Sequence, residues 1–206
     1  MCQLLNIKGT VLPLTEEKVE LVGKSNNKEY FGEEEVSMNI RHIRKLAYDH
    51  DIQISDEIKH KIMDADLIIF SSGSLYTSIL PHLISEEVTG AIENTKAPLM
   101  YISNLVTQPG ETDDYNVSDH VKVLNQYLKN RKIDIVVANS AQIDERIISK
   151  YLTTENKKVV SLDSTELKKQ DVKVIEGDIF SIENEVIRHD ALKTAFLIFS
   201  YLMENN

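Results

Sequence analysis

The chain has 206 residues, of which 42% are hydrophobic and 27% are charged, as in an ordinary globular domain, and its seven glycines and four prolines are too few for a disordered or fibrous chain. Its formal net charge of −10 argues against non-specific nucleic-acid binding, and its single cysteine, Cys2, excludes an internal disulfide framework. No apolar run approaches the ~20 residues of a membrane span, so we expect a cytoplasmic protein with no nucleic-acid partner and no membrane-spanning helix.

The predicted elements start with a β-hairpin, in which residues 19–22 and 29–31 flank an Asn-rich polar turn. Residues 40–49 are ambiguous, because the helical spacing of their apolar residues competes with an extended strand. From Ser55, which suits an N-cap, helical and strand patterns alternate. The predicted helices cover residues 56–63, 75–83, 86–94, 119–129, 144–152 and 191–203, and the predicted strands cover residues 67–70, 99–102, 133–138, 159–160 and 172–175.

This alternation predicts an α/β fold. The strands are short, continuous apolar runs, which is typical of a mainly parallel sheet covered by helices on both faces. Ligands of such sheets bind beyond the carboxyl ends of the strands. Three corners follow predicted strands and are expected to lie side by side: residues 71–74, 103–113 and 138–142. We find no internal repeat or linker, and we expect one domain over residues 1–206.

The first corner is the small-residue sequence Ser71-Ser72-Gly73-Ser74. Glycine allows close approach of a ligand to the backbone, and serine hydroxyls with the free N–H groups of a helix start can hold an anion. A capped helix start explains the same pattern equally well, so both interpretations stay open. The sequence has no G-x-S-x-G elbow and no compelling Ser-His-Asp order, which argues against a nucleophilic serine.

The second corner is a polar loop of about fifteen residues, a length that is uncommon in compact domains and often functional. Its side chains could bind a sugar or a nucleotide base, and its carboxylates could hold Mg²⁺ alone or through substrate phosphates. The alternative is a solvated surface loop. The candidates are Asn104, Thr107, Gln108, Glu111, Thr112, Asp113 and Asp114, with Gly110 in a Pro-Gly turn. At its end, His120 is either a general base or a surface residue.

Outside these two corners the sequence indicates less. The third corner, residues 139–142, looks like an ordinary turn. Tyr151 could stack on a base or belong to the core, and Arg188 could pair with a phosphate or be a surface charge. No pair of histidines has zinc-ligand spacing with the one cysteine, so we expect no zinc site.

Several stretches together resemble the bacterial gluconeogenesis factors, which form one superfamily with the 2-phospho-L-lactate transferases (CofD-like proteins). They are GTVLP at residues 9–13, GSLYTSILPHL at 73–83, NLVTQPGETDDYNVSDHV at 104–121 and VIRHD at 186–190. The likeness runs in order along nearly the whole chain. Two departures stand out: Ser71-Ser72 replaces a usual Gly-Pro, and the family's Gly-rich N-terminal part has no counterpart, so we expect a chain truncated relative to the family.

The resemblance implies a Rossmann-like, doubly wound α/β domain and a nucleotide-sugar ligand. One branch is similar to a non-enzymatic regulator that binds UDP-N-acetylglucosamine-type ligands, requires no cofactor, and supports cell shape and wall synthesis during gluconeogenic growth. The other branch transfers a phospholactyl-type group from a nucleotide-diphospho carrier with Mg²⁺. A third alternative is a module that keeps the fold without a working site. A homodimer is a further expectation.

Carried over by motif, the resemblance implies roles for eleven residues. Gly73 and Ser74 would lie near phosphate, while Tyr151 and Arg188 would stack on the base and pair with the diphosphate. The remaining residues would line the cleft: Asn104, Thr107, Gln108, Gly110, Glu111, Thr112 and Asp113. Glu111 and Asp113 are weak candidates for a metal.

Overall fold

The computed structural model describes residues 9–205. The strands are β1 (Leu21–Lys24), β2 (Glu29–Phe31), β3 (Lys45–Tyr48), β4 (Ile68–Phe70), β5 (Leu99–Ile102), β6 (Ile135–Asn139), β7 (Lys173–Gly177), β8 (Phe180–Glu183) and β9 (Val186–His189). The α-helices are α1 (Gly32–Asn39), α2 (Asp56–Met63), α3 (Leu80–Ile84), α4 (Glu86–Asn94), α5 (Val117–Tyr127), α6 (Glu145–Glu155), α7 (Ser164–Lys169) and α8 (Ala191–Asn205). A 3-10 turn precedes β3, and a π-helical turn, Leu75–Ile79, leads into α3.

The central sheet confirms the α/β prediction. Its strands are all parallel and run in the order β4-β5-β6-β7. Alternate residues of β5 enter different cores: Leu99 and Tyr101 pack with α3, α4 and α5, whereas Met100 packs with α6 and α8. Both faces are therefore covered by helices, which explains why the strand sequences are continuously apolar.

The predicted N-terminal hairpin is confirmed and is larger than expected. β1 pairs antiparallel with β2 and also with β3, so the ambiguous stretch of residues 40–49 resolves into a 3-10 turn followed by a strand. Along the chain, α1 lies between β2 and β3. The sequence did not indicate this helix, because Val36 is its only buried residue. This small antiparallel sheet carries α1 toward the long loop at residues 104–116.

A second hairpin, β8–β9, was not predicted. Its two-residue turn consists of Asn184 and Glu185, whose φ angles are +51° and +63°, and such turns are usually marked by glycine. Because side chains alternate along β9, buried Ile187 and half-buried His189 lie on one side and exposed Arg188 on the other. The predicted N-cap of the last helix is confirmed, since Asp190 accepts hydrogen bonds from two backbone N–H groups of α8.

The last helix has two apolar faces, only one of which is covered. Its inner face packs Leu197, Ile198 and Tyr201 against the sheet. Its outer face exposes four large side chains in four-three-four spacing, as in a helix–helix seam: Leu192 (85% exposed), Phe196 (70%), Phe199 (66%) and Met203 (83%). None of the helices between residues 9 and 205 has the length and apolar character needed to cross a bilayer.

We predict that the expected homodimer would form through this seam, with α8 of one copy packed on α8 of another. Phe196→Glu should then abolish self-association without lowering the melting temperature, because the side chain is exposed in the single chain. Sedimentation velocity over a range of concentrations measures the effect. Met63→Glu is the matched control, since Met63 is 49% exposed on α2, outside the seam. A wild-type chain that stays monomeric at every concentration would contradict the prediction.

Candidate functional site

The serine corner, Ser71–Ser74, connects β4 to the π-helical turn. Ser74 caps this turn, because its hydroxyl accepts a hydrogen bond from Thr77 N–H at 3.1 Å. Its carbonyl accepts from both Ser78 N–H and Ile79 N–H at 3.0 Å. The fold itself makes no demand for glycine at position 73, since an added Cβ would only meet Ser78 Cβ at an ordinary 3.5 Å.

Asn104 joins the serine corner to the end of β5. Its side-chain N–H donates to the Gly73 carbonyl at 2.9 Å, and its side-chain carbonyl accepts from Tyr101 O–H at 3.1 Å. Tyr101 is fully buried, and burial raises the pKa of its hydroxyl, which therefore remains a proton donor. The structure thus brings together the predicted residues Gly73 and Asn104.

Glu111 brings the long loop to the same corner. Its carboxylate accepts hydrogen bonds from Ser74 O–H at 2.7 Å and from Ser37 O–H of α1 at 3.2 Å. The residue is only 8% exposed, yet no lysine or arginine among residues 9–205 forms an ion pair with it. A nearly buried carboxylate with two neutral partners is unusual, because buried charges are normally paired.

Asp113 lies in the same loop but has a different environment. It forms an ion pair with Arg41 and accepts a hydrogen bond from Gly110 N–H at 2.9 Å. Partial burial raises the pKa of Asp113, but Arg41 and the Gly110 N–H outweigh it and leave the pKa below its usual value. Gly110 has φ +86°, a conformation that favours glycine, so its predicted turn role agrees with the backbone.

The other predicted loop residues shape the loop from within. Thr107 pairs with Lys158, donating its N–H at 2.8 Å and accepting Lys158 N–H at 2.9 Å on its hydroxyl. Thr112 is fully buried, and its hydroxyl accepts from Gln108 N–H at 2.9 Å. The side-chain carbonyl of Gln108 is buried without a partner in the described chain. Through these contacts, Thr107 and Thr112 stabilise the conformation of the loop.

Tyr151 and Arg188 do not join the serine corner. Tyr151 belongs to α6, and its side chain is only 5% exposed in the core beneath that helix. Its hydroxyl accepts a hydrogen bond from Ile187 N–H at 2.8 Å. This burial leaves no ring face open to a base, so the predicted stacking role does not fit this placement. The Arg188 side chain is 63% exposed and lies 4.0 Å from Glu183, which leaves its guanidinium accessible to an anion.

The histidines differ from the expectation. His120 is neither a surface residue nor an accessible base: it is fully buried, packed by Tyr101 and Tyr115, and its Nδ1–H donates to Asn116 O at 2.9 Å. His189, which the sequence did not single out, lies instead at the serine corner. Its Nδ1 is 3.3 Å from Ser72 Oγ, and its Nε2 is 3.0 Å from the Ser103 carbonyl.

The site is therefore a polar corner at the carboxyl ends of β4 and β5, closed by the loop and α1. Its members come from four parts of the chain, and only the alternation of β9 and the position of α1 would have revealed His189 and Ser37. No group of three potential acidic, histidine or cysteine ligands occurs within residues 9–205, so a metal would need ligands from a bound molecule. In α/β proteins with such parallel sheets, ligands generally bind at these strand ends.

The chain belongs to the family described as 2-phospho-L-lactate transferase CofD, which matches residues 1–180. It is 37% identical over 206 residues to the gluconeogenesis factor of Bacillus subtilis (strain 168), covering 99% of this chain and 65% of that protein. It is 30% identical over 208 residues to the gluconeogenesis factor of Listeria innocua, covering 100% of this chain and 63% of that protein. The chain thus spans less than two thirds of the length of these relatives.

A solved structure agrees with the fold. An X-ray crystal structure of a protein from Bacillus halodurans matches with a TM-score of 0.86 at 30% identity, covering 96% of this chain and 64% of that one. The Rossmann-like arrangement predicted from the sequence is therefore confirmed by both the strand order and a relative of known structure.

Proposed function

We propose that this chain belongs to a cytoplasmic regulator that binds a UDP-sugar of the UDP-N-acetylglucosamine type and serves cell shape and wall synthesis during gluconeogenic growth. The observation that carries the proposal is the meeting of Gly73, Ser74, Asn104 and Glu111 at one edge of the sheet. The names of the relatives, gluconeogenesis factors, support the physiological setting.

The corner has chemistry suited to sugar hydroxyls. An ionised carboxylate offers about four acceptor positions, and the serine hydroxyls of residues 37 and 74 occupy two of those on Glu111. The remaining positions can accept hydroxyl protons from a sugar, and hydrogen bonds to a charged group are among the stronger ones. Gly73 adds a backbone that a ligand can approach without meeting a side chain.

A diphosphate at this corner needs a compensating cation, because the Glu111 carboxylate repels it. The exposed Arg188 guanidinium lies on the side of β9 opposite His189, so it can pair only with a part of the ligand that extends beyond this corner. At the corner itself Mg²⁺ can supply the positive charge, since it commonly binds through one or two carboxylates together with substrate phosphates. The nearly buried, cation-free Glu111 fits that mode better than Asp113, which is already paired with Arg41.

We expect Glu111→Gln to weaken binding of UDP-N-acetylglucosamine by about tenfold to a hundredfold, the usual effect of losing a hydrogen bond to a charged group. Isothermal titration calorimetry, with and without Mg²⁺, measures the affinity. Glu86→Gln is the matched control, because Glu86 has a side chain that is 88% exposed on α4. No heat at millimolar ligand from folded wild-type protein would overturn the proposal, and loss of binding in Arg188→Ala would support the diphosphate role.

Mg²⁺-dependent transfer of a phospholactyl-type group is the second candidate, favoured by the family description and by the carboxylates of Glu111 and Asp113. Product formation from a nucleotide-diphospho carrier decides between transfer and binding alone. The third candidate, a fold without a working site, predicts that no UDP-sugar raises the melting temperature, since only a ligand that binds the native state stabilises it.

A further inference from the structure

Ser72 and His189 form a hydrogen-bonded pair beside the proposed sugar site. Ser72 follows β4 and His189 ends β9, so residues 117 positions apart meet where the strands finish. The distance between Ser72 Oγ and His189 Nδ1 is 3.3 Å. Hydrogen bonds between a nucleophile and its base are often this long before a substrate binds.

The hydrogen bond on the other ring nitrogen fixes the direction of this contact. A backbone carbonyl can only accept, so the 3.0 Å contact with Ser103 O requires a proton on His189 Nε2. In the neutral ring Nδ1 then carries a lone pair, and the Ser72 hydroxyl donates to it. The arrangement therefore has three members: a hydroxyl, a base, and a carbonyl that orients the base.

The surroundings keep His189 in its basic form. Burial lowers the pKa of His189, an effect that the hydrogen bond to the Ser103 carbonyl partly opposes, so the ring is neutral at pH 7. No arginine or lysine side chain within residues 9–205 donates a hydrogen bond to Ser72. The base is thus able to take a proton from the hydroxyl.

Backbone donors follow the serine directly. Neither Gly73 N–H nor Ser74 N–H donates a hydrogen bond to another part of the described chain. In strand–turn–helix nucleophile sites, the N–H group after the nucleophile stabilises the negative oxygen that forms during attack on a carbonyl. Gly73 lacks a side chain that would crowd such an oxygen.

We propose that Ser72 is a nucleophile, activated by His189, that takes the acyl group from uncharged carboxylic esters and passes it to water. The Ser72 O–H bond breaks, its proton moves to His189 Nδ1, and Oγ bonds to the ester carbonyl carbon. The ester C–O bond then breaks, and the leaving alcohol takes the proton from Nδ1. Water repeats these steps to release the acid and restore Ser72.

p-Nitrophenyl acetate is the probe. The release of p-nitrophenolate measures the rate of hydrolysis, and a mass increase on Ser72 identifies that residue as the site of acetylation. Ser72→Ala and His189→Gln are each expected to lower the rate at least tenfold, a modest share of what a positioned base contributes. Glutamine at position 189 can still donate to the Ser103 carbonyl but is not a base. Exposed Ser149→Ala and His42→Gln are the matched controls and should react like the wild type.

A thiol variant tests the base separately from the ester reaction. In a Cys2→Ser background, Ser72→Cys should react with iodoacetamide about tenfold faster at pH 7 than the same variant carrying His189→Gln, because a paired imidazole promotes thiolate formation. Unchanged p-nitrophenolate release in Ser72→Ala, acetylation elsewhere, or equal alkylation rates in folded variants would overturn the proposal. None of these readouts depends on UDP-sugar binding, so the two proposals fail independently.

Discussion

The free energy of unfolding is expected to fall steeply as the pH drops below about 6.5, the usual pKa of an unfolded histidine. Burial lowers the pKa of three histidines in the folded chain, His82, His120 and His189. For His120, the hydrogen bond to the Asn116 carbonyl and then the nearby carboxylates of Asp119 and Asp163 oppose this effect without cancelling it. The folded state therefore holds these rings neutral at a pH where the unfolded chain binds protons.

Proton linkage sets the direction in which the free energy of unfolding changes with pH. Between the folded and unfolded pKa values the unfolded chain binds more protons, so stability is present above pH 6.5 and is lost as the pH falls. Each histidine contributes a slope of up to about 1.4 kcal/mol per pH unit, hence up to about 4 kcal/mol per pH unit for three. Urea unfolding at pH 7.5, 6.5 and 5.5 measures this slope. His120→Phe should reduce the slope by about one third, and a slope near zero would contradict the prediction.

Leu75→Ala is expected to destabilise the chain by about 3 kcal/mol, within the range for emptying a buried leucine site. Leu75 is fully buried and follows Ser74 directly, so it anchors the serine corner to the core. Leu152→Ala is the matched control: it is the same change on α6, where the side chain is 46% exposed, and should cost no more than about 0.5 kcal/mol. Equal unfolding midpoints for the two variants would show that the corner has no such anchor.

The parts of the fold that the sequence predicted are those with continuous or periodic apolar residues. β5 and α4 occur at the predicted bounds because four buried residues form the strand and a stripe including Val88 and Ile92 forms the helix. The N-cap at Ser55 was likewise predicted, and its hydroxyl accepts from Ile58 N–H at 3.3 Å. Apolar periodicity and N-capping involve only residues that are close together in the chain, so both can be predicted from the sequence.

The missed elements depend on contacts that are distant in the chain. α1 carries one buried side chain, Val36, and α7 likewise only Leu167, so neither presents an apolar stripe. The β8–β9 hairpin turns at Asn184-Glu185 without glycine. The hairpin was therefore not predicted, and neither was the side of β9 on which His189 lies. The site also depends on distant contacts: Glu111 was a predicted residue, but its partner Ser37 lies 74 positions away.

Two adjacent acidic residues of the long loop are fastened to opposite halves of the chain: Asp113 to Arg41 before the central sheet, and Asp114 to Lys158 after β6. The Arg41 and Lys158 side chains are 66% and 56% exposed, so dissolved salt weakens both attachments. The two ion pairs therefore hold the loop at a single point, next to the buried Thr112. Rising ionic strength is expected to loosen this point while Thr112 stays packed in the core.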